Sequence, residues 1–172
     1  MIGATMALAL GWTIAACDAP PRSTAADGEA ATSSSAAPAT AEDGVREGVV
    51  LVYRSPTCGC CGAWAEHLRE HGFAVDVRDV PDMTEVKRRL GVPPALASCH
   101  TAVVDGRIVE GHVPADALRR FLEDDGWSGM SGLAVPGMPV GSPGMESPGR
   151  AADPYDVVAW DSTGATVVFE RR

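Results

Sequence analysis

The sequence predicts an α/β fold, and three observations carry that prediction. The unbroken apolar run Val49-Val50-Leu51-Val52-Tyr53 has the pattern of a strand buried on both faces. It leads into a stretch where Cys61, Ala65 and Leu68 recur at helical spacing, so a strand gives way to a helix as in a βαβ unit. Further along, Asp105-Gly106 divides two apolar runs, Thr101 to Val104 and Arg107 to Val109, as a tight hairpin turn would.

Taken in order, Met1 to Cys17 is apolar and small-residue rich, and shorter than the roughly 20 residues a spanning helix needs. It reads as a signal peptide. Its end, Ile14-Ala15-Ala16-Cys17, is similar to a bacterial lipobox, which makes Cys17 the expected lipidation site and the only expected link to a membrane. The expected location is the periplasm or cell envelope. Residues 18–48 are Ala, Ser, Thr, Pro, Gly and scattered charge with no apolar period, the composition of a disordered tether. A coil of that length reaches on the order of 30 Å.

The folded part is expected over residues 49–125. After the first strand, Ser55-Pro56-Thr57 turns the chain into Cys58-Gly59-Cys60-Cys61, and a helix from Cys61 to about His71 is stopped by Gly72. Phe73 to Val77 alternates as a second strand. Asp82 is placed to cap a short helix through Leu90, with Gly91 behind it. The prolines of Val92 to Ser98 exclude helix and central strand, so this segment delivers Cys99-His100 to the strand at Thr101. After the hairpin, Pro114 to Leu122 reads as a third helix, with Ala117, Leu118, Phe121 and Leu122 on its buried side. This order resembles the thioredoxin fold, with Cys99-His100 in the place where that fold sets a cis-proline against its CxxC. Residues 126–172 read as a C-terminal extension. No regular element is expected in the Gly- and Pro-rich stretch 126–150, and a hairpin around Ser162-Thr163-Gly164 closes the chain.

Three thiols within four residues at a strand-to-helix junction point to sulfur chemistry, since core filling does not require adjacent cysteines. A helix N-terminus presents unpaired N–H groups that favour thiolate, hence both nucleophilic attack and metal ligation. Cys58, Cys60, Cys61 and Cys99 are the candidate thiolate ligands and His100 the imidazole. Met138 and Met145 add weaker thioether donors from the Gly/Pro-rich loop, while Met130 is equally read as a core anchor. Thiolate, thioether and imidazole together form the soft donor set that selects Cu(I). His67 and His71, four apart, are expected beside Trp64 on a solvated helix face, and His112 is expected to support the site from behind or to be structural. A net charge of −9 with one lysine, Lys87, gives no footprint for nucleic acid.

The motifs Cys58-Gly59-Cys60-Cys61, Ser98-Cys99-His100-Thr101, Glu110-Gly111-His112-Val113-Pro114-Ala115 and Gly132-Leu133-Ala134-Val135-Pro136-Gly137-Met138-Pro139, with Gly141-Ser142-Pro143-Gly144-Met145-Glu146, together resemble the DUF411 family of bacterial metal-binding proteins. The resemblance covers about residues 49–170. It implies a thioredoxin-like domain whose C-terminal extension assists copper binding near the CxCC motif, and a place in copper resistance. One or more copper ions are then the expected ligand, with copper efflux or delivery proteins as partners. Three functions share these residues: a copper protein whose Cys58–Cys61 pair alternates between dithiolate and disulfide as copper changes between Cu(I) and Cu(II), a thiol-disulfide oxidoreductase without a metal, and a passive copper buffer or chaperone.

Overall fold

In the computed structural model, residues 46–172 are described; the expected signal peptide, the lipidation site at Cys17 and nearly all of the tether lie outside them. The chain forms β1 (Val49–Arg54), α1 (Gly59–Glu70), β2 (Ala74–Asp79), α2 (Met83–Leu90), β3 (Thr101–Val104), β4 (Arg107–Glu110), α3 (Ala115–Glu123), β5 (Met130–Ala134), β6 (Asp156–Asp161) and β7 (Thr166–Arg171). All seven strands join one sheet in the order β2-β1-β3-β4-β5-β6-β7. β1 and β2 run parallel through the crossover α1, whereas β1–β3 and β3–β4 pair antiparallel.

The expected strands and helices are present, with two corrections. α1 starts at Gly59, two residues before the expected start, because Cys58 serves as its N-cap and the thiol cluster itself forms the first turn. The stretch 126–150 does contain a regular element: β5 runs parallel to β4 through Ile108↔Gly132 and Glu110↔Ala134 and antiparallel to β6. Its glycine is a packing requirement rather than a breaker. A Cβ on Gly132 would lie 2.3 Å from the Trp160 ring and 2.4 Å from the Ile108 carbonyl oxygen. Residues 126–172 therefore extend the same sheet that holds residues 49–110.

The two faces of the sheet are buried differently. On one, α1 and α3 press Trp64, Leu68, Leu118 and Phe121 against Val50, Val52, Ala102, Val109, Leu133 and Ala159. On the other, α2 covers Leu51, Tyr53 and Val103 with Val86 and Leu90. Asp82 caps α2 through Thr84 N–H and Glu85 N–H, and Gly91 ends it in the left-handed region at φ 71°. Among the described residues no helix is long and apolar enough to cross a membrane.

Replacing Gly132 with alanine is expected to lower stability by about 1–3 kcal/mol through overpacking against Trp160. Urea unfolding followed by tryptophan fluorescence measures it, and an unchanged midpoint would mean that the indole moves aside without cost.

Candidate metal centre

The thiols gather where two chain segments meet at one end of the sheet. Cys58 caps α1 and Cys60 and Cys61 lie in its first turn, which holds no acidic residue, so unpaired amides face the sulfurs without a competing carboxylate. The Arg54 side chain donates to the Cys58 carbonyl at 3.3 Å and pairs with Asp79. From the other side, the irregular segment before β3 brings in Cys99. The ligand atoms of Cys58, Cys60, Cys61 and Cys99 all lie within 4.8 Å of one another. Cys58 and Cys61 are joined as a disulfide, with Cys60 Sγ 3.5 Å from Cys58 Sγ, and Cys60 and Cys99 are free thiols. Burial, together with the neighbouring Cys60, pushes the Cys99 thiol up to about 12.

Two imidazoles flank Cys99. His100 Nδ1 is 3.2 Å and His112 Nε2 is 3.0 Å from its sulfur, and both rings are fully buried. His112 donates from Nδ1 to the Pro143 carbonyl at 2.7 Å, and since a carbonyl only accepts, its Nε2 carries the lone pair. Burial lowers the pKa of His112. The His100 pKa is held well below the usual value by burial and by the charges of His112 and Lys87. His112 is thus a direct neighbour of the sulfur, closer than the sequence suggested. The clue was its Gly111-His112 position directly after β4, level with the start of β3.

A residue the sequence reading passed over holds this geometry. The fully buried Glu110 carboxylate accepts from Ser98 N–H at 2.6 Å and Thr101 hydroxyl at 2.7 Å, and pairs with Lys87 from α2. Burial raises the Glu110 pKa against these three donors. Glu110 thereby ties α2, β3, β4 and the Cys99 segment together.

The loop after β5 covers the cluster. Ser98 hydroxyl donates to the Gly137 carbonyl, Pro143 receives His112, and Gly144, at φ 81°, lies so close to α1 that a Cβ would meet Trp64 N at 2.8 Å and Cys60 O at 3.0 Å. Met145 is half-buried just after this contact, Met138 is 53% exposed, and Met130 packs on the core as an anchor. A groove of about 1010 Å³ lies between α2, Pro93-Pro94 and the β6–β7 turn, and no cysteine lines it.

Of the two α1 histidines, His71 is exposed as expected and His67 is not. Trp64 is fully buried, its indole N–H donating to the Val113 carbonyl at 2.8 Å, so that side of the helix is not solvated. His67 Nε2 accepts Ala115 N–H at 3.2 Å and so caps α3, whose N-cap Pro114 has no side-chain donor or acceptor to offer. With that lone pair engaged, His67 cannot ligate a metal without uncapping α3.

Two outcomes follow from these contacts. Glu110→Leu is expected to cost about 3 kcal/mol by leaving the buried Lys87 charge uncompensated, and to speed alkylation of Cys99 because Ser98 N–H loses its acceptor. Urea unfolding and timed iodoacetamide labelling check both, and equal labelling rates would contradict the anchoring role. Burial, with His71 beside it, lowers the His67 pKa below 6.5. The unfolded chain therefore binds a proton that the folded one refuses, and this contribution, complete above about pH 6.5, is lost as pH falls. His67→Gln, which keeps an acceptor but does not titrate, should flatten the fall in urea midpoint between about pH 6.5 and pH 5; an equal slope in both proteins would contradict the cap.

Residues 96–145 match a family model described as a protein of unknown function, DUF411. Among solved structures, copper resistance protein CopG in its form 2 is 45% identical, with 74% of this chain and 99% of that chain covered and a TM-score of 0.68. Form 1 gives 45% identity, 74% and 98% coverage and a TM-score of 0.68. No curated protein matches the chain. With the cysteine cluster and the 96–145 motifs in place on a shared fold, at 45% identity over nearly the full length of that structure, the chain belongs to the DUF411 family.

Proposed function

We propose that this is an exported copper-binding protein of copper resistance, in which Cys58, Cys60, Cys61 and Cys99 bind Cu(I) and the Cys58–Cys61 pair couples copper to thiol redox chemistry. The observation that carries the reading is the convergence of four sulfurs from two separate segments to within 4.8 Å. A structural zinc site calls for separated CxxC pairs, and a disulfide enzyme needs two thiols, whereas a clustered thiolate set can bridge soft monovalent ions. The strand order, with a βαβ unit followed by an antiparallel hairpin, supports reading residues 49–125 as thioredoxin-like.

The redox step balances within the site. Two Cu(II) ions each take one electron from the Cys58/Cys61 dithiol, giving two Cu(I), one disulfide and two protons. An envelope thiol donor returns the pair to the dithiol. Arg54 and the first turn of α1 favour thiolate before the transfer. Cys60 and Cys99, outside the disulfide, keep Cu(I) from leaving as the pair closes. Met138 at the rim and Met145 beneath the loop offer thioethers that need no deprotonation, so they bind in an oxidising compartment where thiols are lost. Efflux or delivery proteins would take the ion from this exposed side.

The Cys58–Cys61 disulfide also favours a second reading, a metal-free thiol-disulfide oxidoreductase. Anaerobic Cu(I) titration of the reduced protein separates the two. Copper binding predicts at least one ion per chain with competition-resistant affinity, and Cys99→Ser is expected to reduce the uptake. Insulin reduction with less than one ion bound would establish the disulfide enzyme instead.

A further inference from the structure

We propose that His67 is a proton-operated latch between α1 and the covering loop: neutral, it caps α3; charged, it exchanges Ala115 N–H for the Glu146 carboxylate, and residues 144–146 come away from the thiol cluster. The inference concerns the cover alone and does not depend on which ion, if any, lies beneath it.

The latch begins with a bond that only one protonation state can make. His67 Nε2 accepts Ala115 N–H at 3.2 Å, and an accepting nitrogen must carry a lone pair. A charged imidazole has a proton on both nitrogens, so it turns a donor toward a donor and the first amide of α3 loses its acceptor. The N-cap Pro114 makes no side-chain bond that could replace it. Trp64 keeps its separate bond to the Val113 carbonyl, so α3 is uncapped without being undocked from α1.

The surrounding charges decide where the charged ring finds a partner. From its own helix His67 faces Glu70 and His71, whose ring centroid is 4.3 Å away; from α3 it faces Asp116, and from the covering loop Glu146. Burial and His71 oppose a charge on the ring, and the three carboxylates favour one, Glu146 most strongly. Asp116 is already engaged by Arg172 at 2.6 Å. Glu146 is exposed and accepts one backbone N–H, that of Gly144 at 2.8 Å.

That N–H is the other half of the latch. Gly144, at φ 81°, lies where a Cβ would meet Trp64 N at 2.8 Å and Cys60 O at 3.0 Å, so the turn that Glu146 closes is the part of the loop pressed against the first turns of α1. A carboxylate drawn to the imidazolium leaves the Gly144 amide unpaired. The anchors at Gly137 and Pro143 do not involve Glu146, so the movement is confined to residues 144–146 and carries Met145 with it. Acid therefore opens the cover and neutral pH closes it. Burial and the neighbouring His71 hold the His67 pKa below 6.5, which places the change on the acid side of neutrality.

The test is a titration of the metal-free full chain carrying Cys17→Ser, with Cys58–Cys61 oxidised, from about pH 7.5 to pH 5. Two-dimensional nitrogen–proton NMR follows the backbone amides and the imidazole rings. The Ala115 and Gly144 amide signals are expected to shift together with the His67 ring, at one midpoint below 6.5. In Glu146→Gln, Ala115 should still follow that ring while Gly144 loses most of its shift. In His67→Gln neither amide should titrate with that midpoint, and in His71→Gln both still should. A silent Gly144 beside a titrating Ala115, or a Gly144 shift that survives unchanged in Glu146→Gln or in His67→Gln, would overturn the latch. Glu146 is exposed, so its variant decides even if His67→Gln fails to fold. No metal enters the measurement, so its failure leaves the copper reading untouched, and loss of that reading leaves the latch standing.

Discussion

The centre depends on one buried carboxylate. Ala97 to His100 belong to no helix or strand, yet this short segment must hold Cys99 against the first turn of α1 closely enough for sulfur atoms to meet. Glu110 supplies the constraint. Its register partner across the β3–β4 ladder is Thr101, so the carboxylate emerges next to the Thr101 hydroxyl and under the Ser98 amide, and Lys87 reaches in from α2 to balance the charge. A second tie, Gly111 N–H to the His100 carbonyl at 3.1 Å, continues the ladder past the end of the strands. The lysine is the only one in the chain, and its charge is committed here rather than displayed. Burying such a pair is expensive, and it repays that cost in positional specificity only because three donors satisfy the carboxylate.

Much of the frame was legible from local signals. Asp82, Gly91 and Asp105-Gly106 act through their own backbone neighbourhoods, and the periods of β1 and of α3 state which side is buried, so each could be read without knowing its partner. The cluster was legible for another reason: clustered thiols have few structural uses. What escaped was long-range. Gly132 looked like a breaker because the Trp160 ring that requires it is almost thirty residues away. His67 looked solvated because α3, whose N–H it accepts, is invisible from α1 alone. Glu110 stood within a recognised motif, but a carboxylate in a strand carries no mark of being fully buried until Lys87 and Ser98 are seen around it.

The covering loop completes the logic through the kind of freedom it keeps. Its backbone is pinned at Gly137 by Ser98, at Pro143 by His112 and at Gly144 by contact with the α1 backbone, where no side chain would fit. The pins at Ser98 and His112 flank Cys99 in space, so the loop and the sulfur share supports and cannot move independently. Met138 lies between the pins and is half exposed, and an unbranched thioether reorients at little cost. The candidate donors differ in exposure: a solvent-facing thioether at Met138, a half-buried one at Met145, and the thiols with two fully buried imidazoles about Cys99. On the copper-binding reading proposed above, closure of the disulfide takes two thiolates away and leaves Cys60 and Cys99, so retention of a soft ion in that state rests on the two thiols that the Glu110 and Gly144 contacts hold in place.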